Sequence, residues 1–265
     1  MTFDVDAAAY DSFMGRYSVL LAPQLADLAG VSAGQRALDV GCGSGMLTGE
    51  LVRRLGASSV SAVDPSASFV ASVRDRYPEV DVQQAKAELL PLPAGAFDAA
   101  LAQLVVHFMS DPVAGLAEMA RVTRPEGVVA ACVWDHAGGQ GPLAVFWNAA
   151  RDLDPHVEDE SLLAGTRSGH LTELLTAAGL RQVEEVALSV DVEHPSFDEW
   201  WEPFTLGVGP AGAYVVSRSE EERAELREYC RRALPEAPFV LSARAWAARG
   251  VGSADVVYER RSEGR

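Results

Sequence analysis

Apolar residues along the chain alternate between short unbroken runs and helical stripes, and that order predicts the fold. Residues 36–40 read as a short buried strand, since Ala37, Leu38 and Val40 are apolar and Asp39 is the only acid among them. From Met46 onward Leu47, Leu51, Val52 and Leu55 recur at helical spacing, with Gly56 as a stop just past the end. Further strands are predicted at 59–63, 80–84, 97–102, 128–134, 182–190 and 239–247. Helices are expected at 66–77 and at 111–122, where Val113, Leu116, Met119 and Ala120 share one face. Such alternation argues for an α/β domain around a mostly parallel, doubly wound sheet.

Between the first strand and its helix stand Gly41, Gly43 and Gly45, at every second position. Glycine takes positive φ and has no Cβ, so a ligand can lie almost against this backbone. A phosphate-binding P-loop needs Gly-Lys-Ser/Thr here, but Gly45 is followed by Met46 and Leu47. The dinucleotide pattern G-x-G-x-x-G is also missed, because the spacing is G-x-G-x-G. An adenosine without phosphates survives this elimination, and S-adenosylmethionine is the common one. Asp64 ends the second strand, just before Pro65, and lies 25 positions after Asp39. That is near the roughly 20-residue offset at which an acid meets ribose hydroxyls in nucleotide folds. The bland alternative is that Asp64 only caps the following helix.

The stretches ALDVGCGSG, AVDPSASFVASVR, AELLPLPAGAFDAALAQLVVHF and EMARVTRPEGVVAACVWD resemble class I S-adenosylmethionine-dependent methyltransferases, particularly those acting on small molecules. The similarity runs over residues 10–134. It implies a Rossmann-like, seven-stranded sheet whose last strand is antiparallel, with S-adenosyl-L-methionine as cofactor and S-adenosyl-L-homocysteine as product. It assigns the methionine and ribose to Asp39, Gly41, Gly43 and Gly45, the ribose to Asp64 with Pro65 beside it, and the adenine flanks to Ala87 and Glu88. Gln103 is expected to meet the amino end of the cofactor through its carbonyl. YDSFMGRYS, with Tyr10 and Arg16, resembles the segment that closes over the methionine end, where the Arg16 guanidinium would pair with the carboxylate. Arg16 as an ordinary surface arginine is the competing reading. Two positions depart from the pattern. Lys86, the only lysine in the chain, stands where many relatives place an adenine-binding Asp, and lysine accepts no hydrogen bond. Glu126 replaces the first glycine of a family RPGG turn.

Charge narrows the partners. With 22 basic and 38 acidic side chains the formal charge is −16 and the pI is near 4.7, which disfavours a nucleic-acid substrate. No apolar run approaches membrane-span length, and the start MTFDVDAAAYD is acidic where a signal peptide is basic, so a cytoplasmic protein without a membrane partner is expected. Cys42, Cys132 and Cys230 are an odd number without a CxxC pair, which fits a reducing compartment. No metal constellation is expected, His156 and His170 being read as surface residues of an acidic insertion. Oligomeric state is left open.

The 265 residues are read as one domain: an N-terminal helical lid over 1–30, a cofactor-binding core over 36–135, and substrate-cap insertions over 136–181 and 195–238. The first insertion carries Phe146 and Trp147 and an acidic stretch around 152–160. The second holds DEWWEPF, in which Trp200 and Phe204 share a helical face and read as core or as a substrate wall, and then SEEERAELREYCRR, a solvated helix. A small-molecule methyl acceptor is therefore expected, at oxygen, nitrogen or carbon. His107, in QLVVHF after the fourth strand, is the first candidate for a base, and His136 after the fifth strand is the second. Packed, uncatalytic histidines are the alternative at both. Cyclases, pericyclic catalysts and non-catalytic subunits built on the same fold also remain open.

Overall fold

The computed structural model describes residues 11–252. One sheet in the order β3-β2-β1-β4-β5-β7-β6 organises them. Its strands are β1 (Ala37–Val40), β2 (Val60–Asp64), β3 (Asp81–Gln84), β4 (Phe97–Gln103), β5 (Thr123–Trp134), β6 (Arg181–His194) and β7 (Phe239–Val251). The first five pair in parallel, and β7 runs antiparallel to both β5 and β6, as the resemblance implies. β1 and β2 are buried at every position, because helices cover both faces and leave no side that needs polar residues.

Helices α1 (Arg16–Leu28), α2 (Met46–Leu55), α3 (Ala67–Arg76), α4 (Pro112–Val122), α5 (Ala144–Leu153), α6 (His170–Ala177), α7 (Phe197–Trp201), α8 (Gly209–Ser217) and α9 (Glu220–Ala233) complete the described residues, with short turns between them. On one face Leu47 and Leu51 of α2, Val73 of α3 and the buried stripe of α1 pack on the sheet; on the other Leu116 and Met119 of α4 join Leu171 and Leu175 of α6. Local signals set the ends. Asp111 caps α4 by accepting the Ala114 N–H at 3.0 Å, with Pro112 in the first turn, and Ser219 and Glu222 form a reciprocal capping box on α9. Among the described residues no helix is long and apolar enough to cross a membrane.

Three expectations need correction. β7 continues past the expected Ala247 to Val251. β6 does not stop at Val190 but continues to His194, because Asp191 and Glu193 alternate with buried Val192 and His194: the period is two, and the acids simply face water. β5 begins at Thr123, before the expected turn, and Glu126 takes φ +62° where the register between β4 and β5 shifts. The kink there is the family turn, now carrying a residue that pays a steric penalty glycine avoids.

The strand order of the sheet places β2 and β3 on one side of β1 and β4 on the other. The carboxyl ends of β1 and β4 therefore diverge, which is where open α/β sheets bind ligands.

Candidate active site

At that divergence the chain leaves β1 through Gly41, Gly43 and Gly45, all at positive φ. Their roles differ. A Cβ on Gly41 would stand 2.4 Å from Val105, and one on Gly45 would crowd Val73 at 3.1 Å, so these two glycines let the turn pack against its own protein. Gly43 alone has nothing within 4 Å, and its bare face opens on a cleft of about 490 Å³. That volume lies in the roughly 300–1,000 Å³ range of small-molecule sites.

The cleft is lined by Gly41, Gly43, Asp64, Pro65, Ala87, Glu88 and Gln103, among others; Asp39 and Gly45 lie behind the loop, and Tyr10 lies outside the described residues. Asp64 accepts the Gly43 N–H at 2.9 Å on one oxygen and the Ser66 N–H at 2.8 Å on the other. It thus both caps the turn into α3 and reaches back to the glycine loop, and each oxygen keeps a lone pair. Burial raises its pKa, against the pull of those two amides. Asp39 is fully buried: Oδ2 accepts the Thr48 hydroxyl at 2.6 Å, while Oδ1 has no protein partner. Burial, with the nearby Asp64 charge, pushes its pKa up to about 7. Glu88 accepts the Ser110 N–H at 2.7 Å and so ties its wall of the cleft to the turn before α4. Lys86 lines the same wall.

Beyond Leu104 and Phe108, which border both spaces, lies a second, narrower cavity of about 40 Å³. His107 and His136 line it, with ring centres 6.2 Å apart. His107 is held against Phe108 at 3.8 Å, its Nδ1 has no partner, and burial drives its pKa well below the ordinary range. Burial lowers His136 to about 4, although Asp159 and Asp135 oppose the shift. Both rings are neutral near pH 7. Phe13 and Met14, from the turn that precedes α1, close the cavity on the lid side.

The structure does not bring Arg16 to the cleft. Its guanidinium pairs with Glu199 of α7, beside buried His194, which sits 2.9 Å from the Tyr17 hydroxyl and 2.9 Å from Glu199. The arginine ties α1 to α7. Trp200 and Phe204 are buried at 4% and 1% exposure and pack among Phe13, Phe146 and Trp201, so they are core and line neither the cleft nor the inner cavity. Glu160, read as part of an acidic stretch, is in fact buried in the inner cavity wall, where it accepts the Trp147 indole N–H at 2.9 Å. The signal that could have found it is Trp147 itself, an indole whose N–H needs a partner when buried.

Residues 38–131 match the methyltransferase domain family. A malonyl-[acyl-carrier protein] O-methyltransferase from Serratia marcescens is 33% identical over 46% of this chain and 50% of its own length. A probable S-adenosylmethionine-dependent methyltransferase from Mycolicibacterium smegmatis is 32% identical over 60% of this chain and 56% of its own. Over residues 38–131 the chain carries a methyltransferase domain, and it is similar to class I S-adenosylmethionine-dependent methyltransferases. It spans about half the length of the curated relatives it matches. The fold of this methyltransferase domain also matches the [4+2]-cyclase SpnF, with a TM-score of 0.53 at 22% identity, covering 89% of this chain and 81% of that one.

S-adenosyl-L-methionine, the cofactor of the methyltransferase domain, fits the residues present. The open face of Gly43 leaves room for it, Asp64 keeps free lone pairs beside that face, and the orphaned Asp39 Oδ1 is a buried acceptor just behind the loop. Among the described residues no arginine lines the cleft, and Lys86 is its one cation.

Proposed function

We propose that this chain transfers a methyl group from S-adenosyl-L-methionine to a small-molecule acceptor. The observation that carries the reading is the shared wall: Leu104 and Phe108 border the large cleft over the glycine loop and also the inner cavity with its two neutral histidines. When bound, the cofactor supplies an electrophilic methyl on a sulfonium. Asp64 would hold the ribose diol, Gly43 would let the methionine lie close, and Ala87 and Glu88 would flank the adenine. Displacement at a methyl needs alignment more than acid or base, and the narrow inner cavity supplies alignment. His107, whose Nδ1 has no protein partner, is the first candidate to take the proton of a poorly ionised nucleophile; burial disfavours its imidazolium, so it would act as a weak base. His136 stands beside it as the second candidate.

The Serratia relative is named for a malonyl group carried on a protein. Among the described residues no arginine or lysine lines the inner cavity, which favours an acceptor without a free carboxylate. The net charge of −16 favours small molecules over nucleic acid, and three buried free cysteines fit a reducing, cytoplasmic setting.

Calorimetry with S-adenosyl-L-methionine and with NAD tests the first half: binding of the former alone is expected, and binding of NAD alone overturns the assignment. Mass spectrometry of products made with a trideuteriomethyl cofactor tests the second. A labelled product is expected, and a rearranged, unlabelled one would mark a cyclase.

A further inference from the structure

Polar side chains from three elements meet around one buried ring. His194, at the end of β6, is only 2% exposed. Its Nε2 lies 2.9 Å from the Tyr17 hydroxyl of α1, and its Nδ1 lies 2.9 Å from Glu199 of α7. Arg16, also of α1, pairs with the same carboxylate and stands 3.2 Å from Nδ1. Phe239 of β7 stacks on the ring with centres 5.4 Å apart and brings no titratable group. The cluster adjoins the inner cavity: Phe13 and Met14, which close that cavity, stand just before Arg16, and Tyr17 packs edge-on against Trp134 in its wall.

Hydrogen-bond chemistry fixes the hydrogen on this ring. A carboxylate only accepts, so Nδ1–H donates to Glu199, and Nε2 is left to accept the Tyr17 O–H. Arg16 then faces an N–H on the ring, and its bond goes to Glu199. Burial keeps the Tyr17 hydroxyl un-ionised, while Arg16 and His194 hold Glu199 below its ordinary range against its own burial. A second proton on the ring breaks this arrangement in two ways. Nε2 turns from acceptor to donor, so the buried Tyr17 hydroxyl loses the acceptor of its hydrogen. Two cations, His194 and Arg16, then share the one carboxylate paired with them among the described residues. Burial lowers the His194 pKa from its ordinary 6.5; Glu199 opposes the shift and Arg16 adds to it. The stabilising share of the neutral ring is therefore complete above pH 6.5 and is lost as pH falls below it.

We infer that Tyr17, His194, Glu199 and Arg16 form a proton-operated clasp, which holds α1 against β6 and α7 while the ring is neutral and releases it when the ring is protonated. Release frees the turn that carries Phe13 and Met14, so the inner cavity is shut near neutrality and opens in mild acid. The clasp acts through protein contacts and does not depend on which molecule the cleft takes.

Amide hydrogen exchange of the whole protein, read peptide by peptide and corrected for intrinsic exchange, tests the clasp. Between about pH 7.5 and about pH 5.5, protection over residues 13–22 is expected to fall at least about fivefold, while that of β1 changes less than about twofold. His194→Gln cannot titrate, and its carbonyl can still accept the Tyr17 O–H. In that variant the fall over residues 13–22 should shrink to less than about twofold. Should it not fold, Arg16→Gln carries the test. It leaves Glu199 to the protonated ring, so protection drops at both pH values but the ratio between them shrinks at least about twofold. A merely structural arginine would lower both values and leave the ratio unchanged, and that result overturns the inference. So does an undiminished fall in His194→Gln, a fall in β1 as large as in α1, or a parent whose protection over residues 13–22 is the same at both pH values.

Discussion

Gly41 and Val105 face each other so closely that a Cβ on the glycine would stand 2.4 Å from Val105 Cγ2, whereas Gly43, two residues on, faces open space. Gly41→Ala is expected to lower stability by about 2–3 kcal/mol through overpacking and left-handed strain. Gly43→Ala should cost only about 1 kcal/mol of strain but raise the dissociation constant for S-adenosyl-L-homocysteine at least about tenfold. Thermal melts and calorimetry on the two variants separate the effects, and equal loss of affinity with equal loss of stability would contradict them.

Asp64 holds two backbone amides and lines the cleft. Asp64→Asn must turn one NH2 toward an N–H donor, so the loop loses its tie and the site loses an acceptor. A rise in the S-adenosyl-L-homocysteine dissociation constant of about ten- to a hundredfold is expected by calorimetry. An unchanged value removes the ribose assignment.

Burial raises the folded-state pKa of Glu160 from 4.5 to about 7. The folded protein thus keeps a proton that the unfolded chain releases. Its stabilising share is complete below pH 4.5 and is lost as pH rises through about 7. Glu160→Gln, whose carbonyl can still accept the Trp147 N–H, removes that loss. Urea unfolding should find the variant close to the parent at pH 4.5 and more stable at pH 8, by up to about 3 kcal/mol. A difference of the same size at both pH values would refute the buried-acid account.

His107→Gln keeps a polar side chain of similar reach without a base. Turnover of a hydroxyl acceptor is expected to fall about a hundredfold, while cofactor affinity stays within about twofold. Unaltered turnover would reduce His107 to packing.

Much of the sheet was legible because its inner strands are buried on both faces and read as nearly unbroken apolar runs: the predicted ends of β1 and β2 lie within a residue of those seen. The glycine loop and Asp64 were legible for a related reason, since backbone conformation and a strand-end carboxylate are local properties. Arg16 was not, because its partner Glu199 is 183 positions away and only the packing of the folded chain brings α1 and α7 together. Glu160 was hidden by its surroundings in sequence: Asp152, Asp154, Glu158 and Asp159 suggest a solvated stretch, and only the folding of the chain back onto Trp147 carries one acid inside. Trp200 and Phe204 show the limit of spacing as evidence. Helical periodicity puts them on one face but does not say whether that face meets a ligand or, as here, Phe13 and Phe146.

Leu104 and Phe108 are a party wall, touched by whatever occupies either room. Any adjustment one occupant imposes on them alters the fit of its neighbour, and thermodynamic reciprocity makes that influence equal in both directions. The coupling between the two molecules, whichever enters first, therefore runs through one leucine and one ring.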